Sequence, residues 1–263
     1  MDLVRTERPG HGAELASQAA KSGIERVVAV GGDGTVHEVA NGLIAAGSRA
    51  ALGVVPTGSG NDFAKLVGTF RHGVARAVAR VATSRASPFD VGCVLGEYFV
   101  NSMGFGFGPA VVRLRNRMPE LIGFLSYLVP IVRAFFRFDP PLFEVRAAEH
   151  TERGNMMMVE VCNGTTAGGS YRFAPDADPS DGRLDVCLVR RLGLPRFLLA
   201  IPRVMRGTHA GMKEVALFQT REIVIRSPDA PLLLHLDGEL REPGTRECRV
   251  TLAAGRLNVL VAQ

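Results

Sequence analysis

A β-branched run, Arg26–Val30, ends in Gly31-Gly32-Asp33-Gly34-Thr35 and passes straight into a helical stretch over about Val36–Ala46. A buried strand that turns on glycines into a helix is the building unit of an open parallel sheet. Such sheets bind ligands at the carboxyl ends of their strands. The glycines let main chain approach a phosphate closely, and the helix start adds unpaired N–H groups and a positive dipole end. The carboxylate of Asp33 would repel a phosphate there, so the turn calls for a metal ion or its waters between them. Thr35 and Glu38 have a second reading as an N-cap and N3 capping box, a helix start stabilised by ~1 kcal/mol. Both readings stand for these two residues.

The arrangement recurs 25 residues on. The run Ala51–Val55 leads into Pro56-Thr57-Gly58-Ser59-Gly60-Asn61-Asp62-Phe63-Ala64, which opens another helix. Two such loops on neighbouring strands make a cleft of convergent N–H groups, to which Thr57, Gly58, Ser59 and Asn61 contribute; Asn61 or Asp62 serves equally as a helix cap. No Walker sequence G-x-x-x-x-G-K-[ST] is present. With helical stretches at 12–22, 62–67 and 73–82, residues 1–87 read as a nucleotide-binding α/β domain with a parallel sheet.

Composition changes near Ser87-Pro88. Strand-like runs follow at 89–95, 98–102, 142–147, 156–162, 184–189, 222–226, 232–236, 249–252 and 257–261. Residues 88–263 therefore read as a mostly antiparallel, β-sandwich-like domain. Helical inserts interrupt it at about Met118–Arg137 and Pro195–Arg206. Leu121–Phe138 and Leu194–Met205 are apolar with embedded arginines. They read as core helices, or as a lipid-receiving groove with Arg133, Arg137 or Arg203 near head groups. Asn101–Gly108 reads as a glycine-rich turn.

The net charge of +5 is carried almost wholly by arginine, since lysine occurs only at 21, 65 and 213. It is spread without runs, which fits a solvated surface or attraction to anionic nucleotide or membrane. Few aromatics, no tryptophan and no zinc-finger or RNA-binding signature argue against nucleic acid. The four cysteines are far apart and read as free thiols of a reducing cytosol. Residues 1–12 are polar and charged, unlike a signal peptide. No apolar run reaches the ~18 residues of a membrane span.

Taken together, Gly31–Thr35, the following His37-Glu38-Val39-Ala40-Asn41-Gly42 and Pro56–Ala64 resemble the diacylglycerol kinase catalytic family, which includes sphingosine kinases and bacterial lipid kinases. The resemblance implies an ATP- and Mg2+-dependent kinase acting on a lipid hydroxyl such as diacylglycerol. It implies a cytoplasmic protein, peripheral to the inner face of the membrane where its lipid substrate lies. By resemblance Thr6 contacts the nucleotide, and Asp178, Asp181 and Arg183 stand at the ligand positions of a metal loop, the flanking two through main-chain carbonyls. Glu239 takes the place of the catalytic acid/base. Asp33 and Asp62 would organise magnesium and its waters. Asp237-Gly238-Glu239 alone would read as a β-turn. Family members usually begin with a further strand and helix carrying Asn-Pro-x-x-Gly, after which this chain starts; the sheet edge so exposed would favour a homodimer. His37 stands where the family usually has Asn and reads as a substituted helix residue. The rival readings are an NAD kinase-like enzyme, which shares the GGDG turn, and a non-catalytic nucleotide- or lipid-binding protein.

Overall fold

The computed structural model describes residues 2–70, 73–115, 125–148 and 150–262. Its first part alternates helix and strand: α1 (His11–Lys21), β1 (Arg26–Gly31), α2 (Asp33–Ala45), β2 (Ala51–Pro56), α3 (Asp62–Leu66) and α4 (Gly73–Thr83). β1 and β2 pair in parallel over their whole length, Arg26 opposite Ala51 and Gly31 opposite Pro56. That register brings both glycine loops out at the same end of the sheet. Leu43 of α2, Leu52 of β2 and Phe63 of α3 are fully buried between the layers.

The remainder is mostly antiparallel. β3 (Arg85–Val94) spans the composition change and is followed by β4 (Glu97–Phe99), β5 (Ser102–Gly106), α5 (Phe107–Arg115), α6 (Leu125–Phe135), β6 (Leu142–Ala147), β7 (Thr151–Cys162) and β8 (Leu184–Arg190). Then come α7 (Leu194–Arg206), β9 (Val215–Thr220), β10 (Glu222–Arg226), β11 (Leu234–Leu236), β12 (Glu239–Arg241) and β13 (Glu247–Val261). The main path of strand pairing runs β1-β2-β13-β10-β6-β7-β5-β11-β12.

β13 joins the two parts. Its last residues pair in parallel with β2, its first residues pair antiparallel with β10, and β3 follows both stretches across a bulge between Ala253 and Leu257. β7 does the same for the sandwich, pairing first with β6 and then with β5 and β8. One core lies within the sandwich around Phe105, Met156, Leu188, Ile223 and Leu234. Another lies under α5, α6 and α7, where Phe197 stacks on Phe135 at 4.3 Å and meets Phe107 edge-on at 5.5 Å.

The architecture is an α/β domain with a parallel sheet followed by an antiparallel, β-sandwich-like domain, as expected. Several elements differ in detail. The run at 98–102 is two strands, β4 and the start of β5. Asn101–Gly108 is not a free turn: Ser102–Gly106 is a strand buried on both faces, and Phe107 begins an unforeseen helix. Its glycines mimic a turn signal, but neighbouring strands fill the space their side chains leave. The runs at 249–252 and 257–261 are one strand, β9 (Val215–Thr220) is a further strand that the expected runs do not include, and β12 (Glu239–Arg241) is too short and polar to signal one. Of the helical insert expected at Met118–Arg137, residues 118–124 lie outside the described residues, and α6 covers 125–135. No described helix is long and apolar enough to cross a membrane.

Candidate active site

The carboxyl ends of β1 and β2 carry the two loops, and glycine brings them together. A Cβ on Gly58 would stand 2.5 Å from the Cα of Gly32, so main chain meets main chain with no room for a side chain. Asn61, in the left-handed region at φ 53°, closes the second loop by accepting from the Gly58 N–H (3.0 Å) and donating to the Gly58 carbonyl. Thr57 N–H donates to the Gly31 carbonyl at 3.0 Å.

The expected capping box does not form. α2 begins at Asp33 with Gly32 as N-cap and no side-chain cap. Thr35 lies one turn into the helix and folds back over Gly31, whose absent Cβ would stand 2.3 Å from its Oγ1. Glu38 points to α1 instead, accepting the N–H groups of Gly10 (2.7 Å) and Gly12 (2.9 Å). It thereby satisfies orphan donors at the start of a different helix.

Asp33 and Asp62 face each other across Gly60, from whose Cβ position Asp33 Oδ2 is 2.7 Å and Asp62 Oδ2 is 3.6 Å away. Asp62 is buried and fully engaged: Oδ1 accepts Lys65 Nζ at 2.9 Å and Oδ2 the Gly169 N–H at 2.7 Å. Asp33 Oδ1 accepts the Phe63 N–H at 3.2 Å. Burial first, and then the charge of Asp62, push Asp33 up to about 6 against that hydrogen bond. A carboxylate held at such a cost, beside a second one and a phosphate-binding turn, is a donor set that fits a hydrated divalent cation.

The third wall comes from the sandwich. Asp237 and Gly238 form the turn between β11 and β12, with φ 47° and 91°. Glu239, the first residue after it, is exposed and reaches across to the first domain. Its Oε1 lies 2.9 Å from where a Cβ on Gly34 would stand, so only glycine at 34 admits it at that distance. Asp237 is buried beneath the turn. Its Oδ1 accepts the N–H groups of Asn101 (2.9 Å) and Ser102 (3.1 Å), and its Oδ2 that of Val100 (3.0 Å). Oδ2 also meets His37 Nδ1 at 2.9 Å, and His37 Nε2 meets Glu97 Oε1 at 2.8 Å. Arg241 completes the chain by donating Nε to Glu97 Oε2 at 2.9 Å and Nη2 to Oε1.

His37 is therefore more than a substituted helix residue. Burial would lower its pKa, but the hydrogen bonds to Asp237 and Glu97 outweigh that and raise it to about 9. Glu97 answers in kind: burial would raise it, but His37 and Arg241 hold it down at about 2.

Asp33, Asp62, Asp237 and Glu239 line one cavity of about 430 Å3, while His37, Glu97 and Arg241 are not on its wall. Gly32, Asp33, Gly34, Gly58, Ser59, Gly60, Asp62 and Glu239 stand at one end, and Val111, Ile131, Met158, Phe197, Ala200 and Val204 make an apolar end from α5, α6, β7 and α7. Of the expected site residues, Gly31, Thr35, Thr57 and Asn61 build the loops from behind. Thr6 is exposed near the N-terminus, and Glu38 faces α1; neither is on the cavity wall. Asp178, Asp181 and Arg183 lie together on the loop before β8, also off the wall. Asp178 Oδ1 accepts from Ser180 (2.9 Å), Asp181 Oδ1 from the Arg183 N–H (2.8 Å), and Asp181 Oδ2 from Gln219 Nε2 (3.2 Å). The loop abuts β3, where Asp90 Oδ2 accepts the Gly182 N–H at 2.8 Å. Among the described residues no group of three or more His, Cys, Asp or Glu side chains is arranged to hold a metal, so side chains alone supply no complete shell there.

Sequence reasoning missed Lys65 and Gly169, which brace Asp62, and the whole His37–Asp237–Glu97 chain. The Gly168-Gly169 pair was a visible loop signal; nothing in the sequence announced that Glu97 and His37 meet.

A glycine cleft of this kind, faced by a carboxylate from the β-sandwich, is suited to holding the phosphates of a nucleotide. Residues 1–94 match the diacylglycerol kinase catalytic domain, and residues 101–261 match the YegS C-terminal NAD kinase beta sandwich-like domain. The chain belongs to the kinase family that joins these two domains. A Chromohalobacter salexigens protein named probable lipid kinase YegS-like is 31% identical over 88% of this chain and 74% of its own length. A Bacillus subtilis diacylglycerol kinase is 29% identical over 88% of this chain and 76% of its own. The crystal structure of a diacylglycerol kinase from Bacillus anthracis superposes with a TM-score of 0.76 at 21% identity, over 98% of this chain and 84% of that one. An NAD kinase from Archaeoglobus fulgidus shares the fold more distantly, with a TM-score of 0.51 at 13% identity over 95% of this chain and 80% of that one.

Asp33 carries a prediction of its own. Its folded pKa lies above the ordinary 3.8, so its charge destabilises the fold above about pH 6, and the penalty fades as pH falls through that value. Asp33→Asn is expected to raise thermal stability at pH 7.5 by about 1–3 kcal/mol while lowering kcat/KM for ATP by roughly 100-fold. In the unsubstituted protein kcat/KM for ATP is expected to fall below pH 6, read from initial rates between pH 5 and 8.

Proposed function

We propose that this protein transfers the γ-phosphoryl group of ATP to the hydroxyl of a lipid such as diacylglycerol. The observation that carries the reading is that one cavity holds both parts: Asp33, the glycine loops and Glu239 stand at one end, and the apolar wall of α5, α6 and α7 at the other. A nucleotide acceptor would need polar groups where this wall offers Val111, Ile131, Phe197 and Val204.

In this reading the main-chain N–H groups of Gly32–Gly34 and of Ser59 and Gly60 hold the phosphates, and Ser59 adds its hydroxyl. Asp33, with Asp62 behind it, would hold magnesium through its waters, and such an ion would supply positive charge against the transferring phosphates. Glu239 takes the proton of the acceptor hydroxyl as the oxygen–phosphorus bond forms. Thr35, packed on Gly31, and Glu38, which ties the start of α1 to α2, support the nucleotide side from behind, and Thr6 contacts the nucleotide from the segment before α1. Asp178, Asp181 and Arg183 would hold a second magnesium, the flanking two through main-chain carbonyls, and its charge would serve to fix the loop before β8. The outer face of α7 exposes Leu194, Leu198 and Leu199, and Arg203 and Arg206 lie in its last turn. This supports work at the surface of an anionic membrane, the location from which the cavity would draw its lipid. β1 is hydrogen-bonded on one side only among the described strands, which supports pairing of two copies along that edge.

The test is transfer of labelled phosphate from ATP, in magnesium, to diacylglycerol in mixed micelles and, separately, to NAD. Labelled lipid and unlabelled NAD are the expected result. Phosphorylation of NAD with no lipid product would overturn the reading, and ATP binding without transfer to either would leave a binding protein.

A further inference from the structure

Beyond the reacting end, the cavity wall carries a carboxylate and an imidazole that the transfer step does not use. Glu160 lies on β7 and His235 on β11, with β5 between them. Gly104 of β5 is in register with Glu160 on one side and with His235 on the other. Residues opposite one another in a sheet present their side chains on one face. A Cβ on Gly104 would stand 2.0 Å from Glu160 Oε2 and 2.7 Å from His235 Nε2. The missing side chain at 104 is what lets the two groups lean together over that strand, with Nε2 3.3 Å from Oε1.

The pair is buried, its side chains 8% and 1% exposed for His235 and Glu160, and it is left open. Among the described residues Glu160 Oε1 and His235 Nδ1 have no hydrogen-bond partner. Burial works against protonation of His235, but the neighbouring Glu160 more than compensates and its pKa is raised. Nδ1 is left without a partner, and Oε1 has none beyond the ion-pair approach of Nε2 at 3.3 Å. Each such buried group left unmade costs about 1–3 kcal/mol. By contrast, His37 has both ring nitrogens engaged. Among the described residues Asn101 Oδ1 is a further buried atom without a partner on this cavity wall, whereas others of the kind, such as Asn163 Oδ1 and His209 Nδ1, lie off it. Apolar residues of similar size would fill the place more cheaply if packing were the only need. Both residues line the same cavity as Glu239, and His235 precedes Glu239 by four residues on one hairpin.

We propose that Glu160 and His235 form a polar subsite that reads the lipid acceptor, taking one that carries a second hydrogen-bond donor, a hydroxyl or an N–H, beside the hydroxyl to be phosphorylated. The proposal rests on the lipid-kinase reading and narrows it. A free hydroxyl or amine donates to Oε1. The ester oxygens of a diacylglycerol offer acceptors only, so they serve His235 and leave Glu160 stranded. A site built around a hydrogen bond rejects the analogue that lacks it far more strongly than an apolar pocket rejects a missing methylene.

The experiment compares chain-matched 1-monoacylglycerol, a sphingoid base and 1,2-diacylglycerol in mixed micelles, with Mg2+ and ATP. It uses the wild type, Glu160→Gln and the double variant Glu160→Leu/His235→Leu, which removes both charges together and so avoids leaving one buried alone. The expected result is a kcat/KM for monoacylglycerol or sphingoid base at least about tenfold above that for diacylglycerol. The preference is expected to collapse toward one in the double variant, with KM for ATP unchanged. Glu160→Gln, which keeps size and packing, is expected to reduce it and carries the test if the double variant does not fold. A wild type that prefers diacylglycerol, or a preference unmoved by either substitution, overturns the subsite alone. A wild type that phosphorylates none of the three overturns the lipid-kinase reading and the subsite with it.

Discussion

Glu239→Gln is expected to reduce phosphoryl transfer by roughly a thousandfold while changing ATP affinity less than about twofold. Glutamine keeps the length and hydrogen-bonding reach of the side chain and removes only its ability to take a proton. Glu239 is exposed and at the start of a short strand, so the substitution is expected to shift stability by no more than about 0.5 kcal/mol. The loss can then be assigned to chemistry. Its place opposite Gly34 supplies a second arm: a methyl at 34 would crowd Glu239 Oε1, now 2.9 Å from that point, and push a flexible carboxylate aside. Gly34→Ala is therefore expected to lower kcat by about tenfold, less than Glu239→Gln, because the base is displaced and not abolished. Initial rates, ATP titration calorimetry and melting curves on the three proteins check this. Equal rates for Glu239→Gln and wild type would remove Glu239 from the mechanism.

The loops of the first domain were legible because their signal is local. A β-branched run, glycines and a helix start stand within ten residues of one another, and β1, α2 and β2 emerged within a few residues of the expected limits. Asp33 and Asp62 could be placed near each other because parallel neighbours put their loops at one end of the sheet. Other features depend on contacts across the whole chain. Glu38 looked like a cap for its own helix; only tertiary packing shows that α1 offers it better-placed donors at Gly10 and Gly12. Asn101–Gly108 looked like a turn because glycine reads as a breaker in one dimension, whereas Gly104 is where two neighbouring strands lean their side chains in. The pairing of β13 with β2 lies beyond any local window, since most of the chain separates the two strands. The same holds for Asp237: as part of Asp-Gly-Glu it signals a turn, and its burial under Val100, Asn101 and Ser102 becomes visible only in three dimensions.

That burial makes Asp237 the residue whose loss is expected to damage the protein most. Its carboxylate accepts three main-chain N–H groups and meets His37. Asp237→Ala strands all four donors, one of them on a cation, and is expected to cost about 3–5 kcal/mol, or roughly 6–20 °C in Tm for a chain of this size. His37→Asn, restoring the residue the family usually carries, removes the cation and leaves the main-chain donors satisfied, so a smaller loss of about 1–2 kcal/mol is expected. The two differ in their pH dependence. In the intact protein the folded pKa of His37, about 9, exceeds the ordinary 6.5. The stability it contributes is fully present below pH 6.5 and is lost as pH rises through 9. Wild type and His37→Asn are therefore expected to converge in Tm above pH 9 and to diverge below 7, whereas Asp237→Ala stays low throughout. Activity adds a readout that stability alone would not move. His37, on the helix of the phosphate turn, reaches through Asp237 to the hairpin that presents Glu239. If this chain of contacts sets the height of that hairpin, His37→Asn lowers kcat with little change in KM for ATP, at temperatures where the variant is fully folded. A kcat equal to that of wild type, in a variant whose Tm shows the expected pH dependence, would confine the network to holding the two domains together.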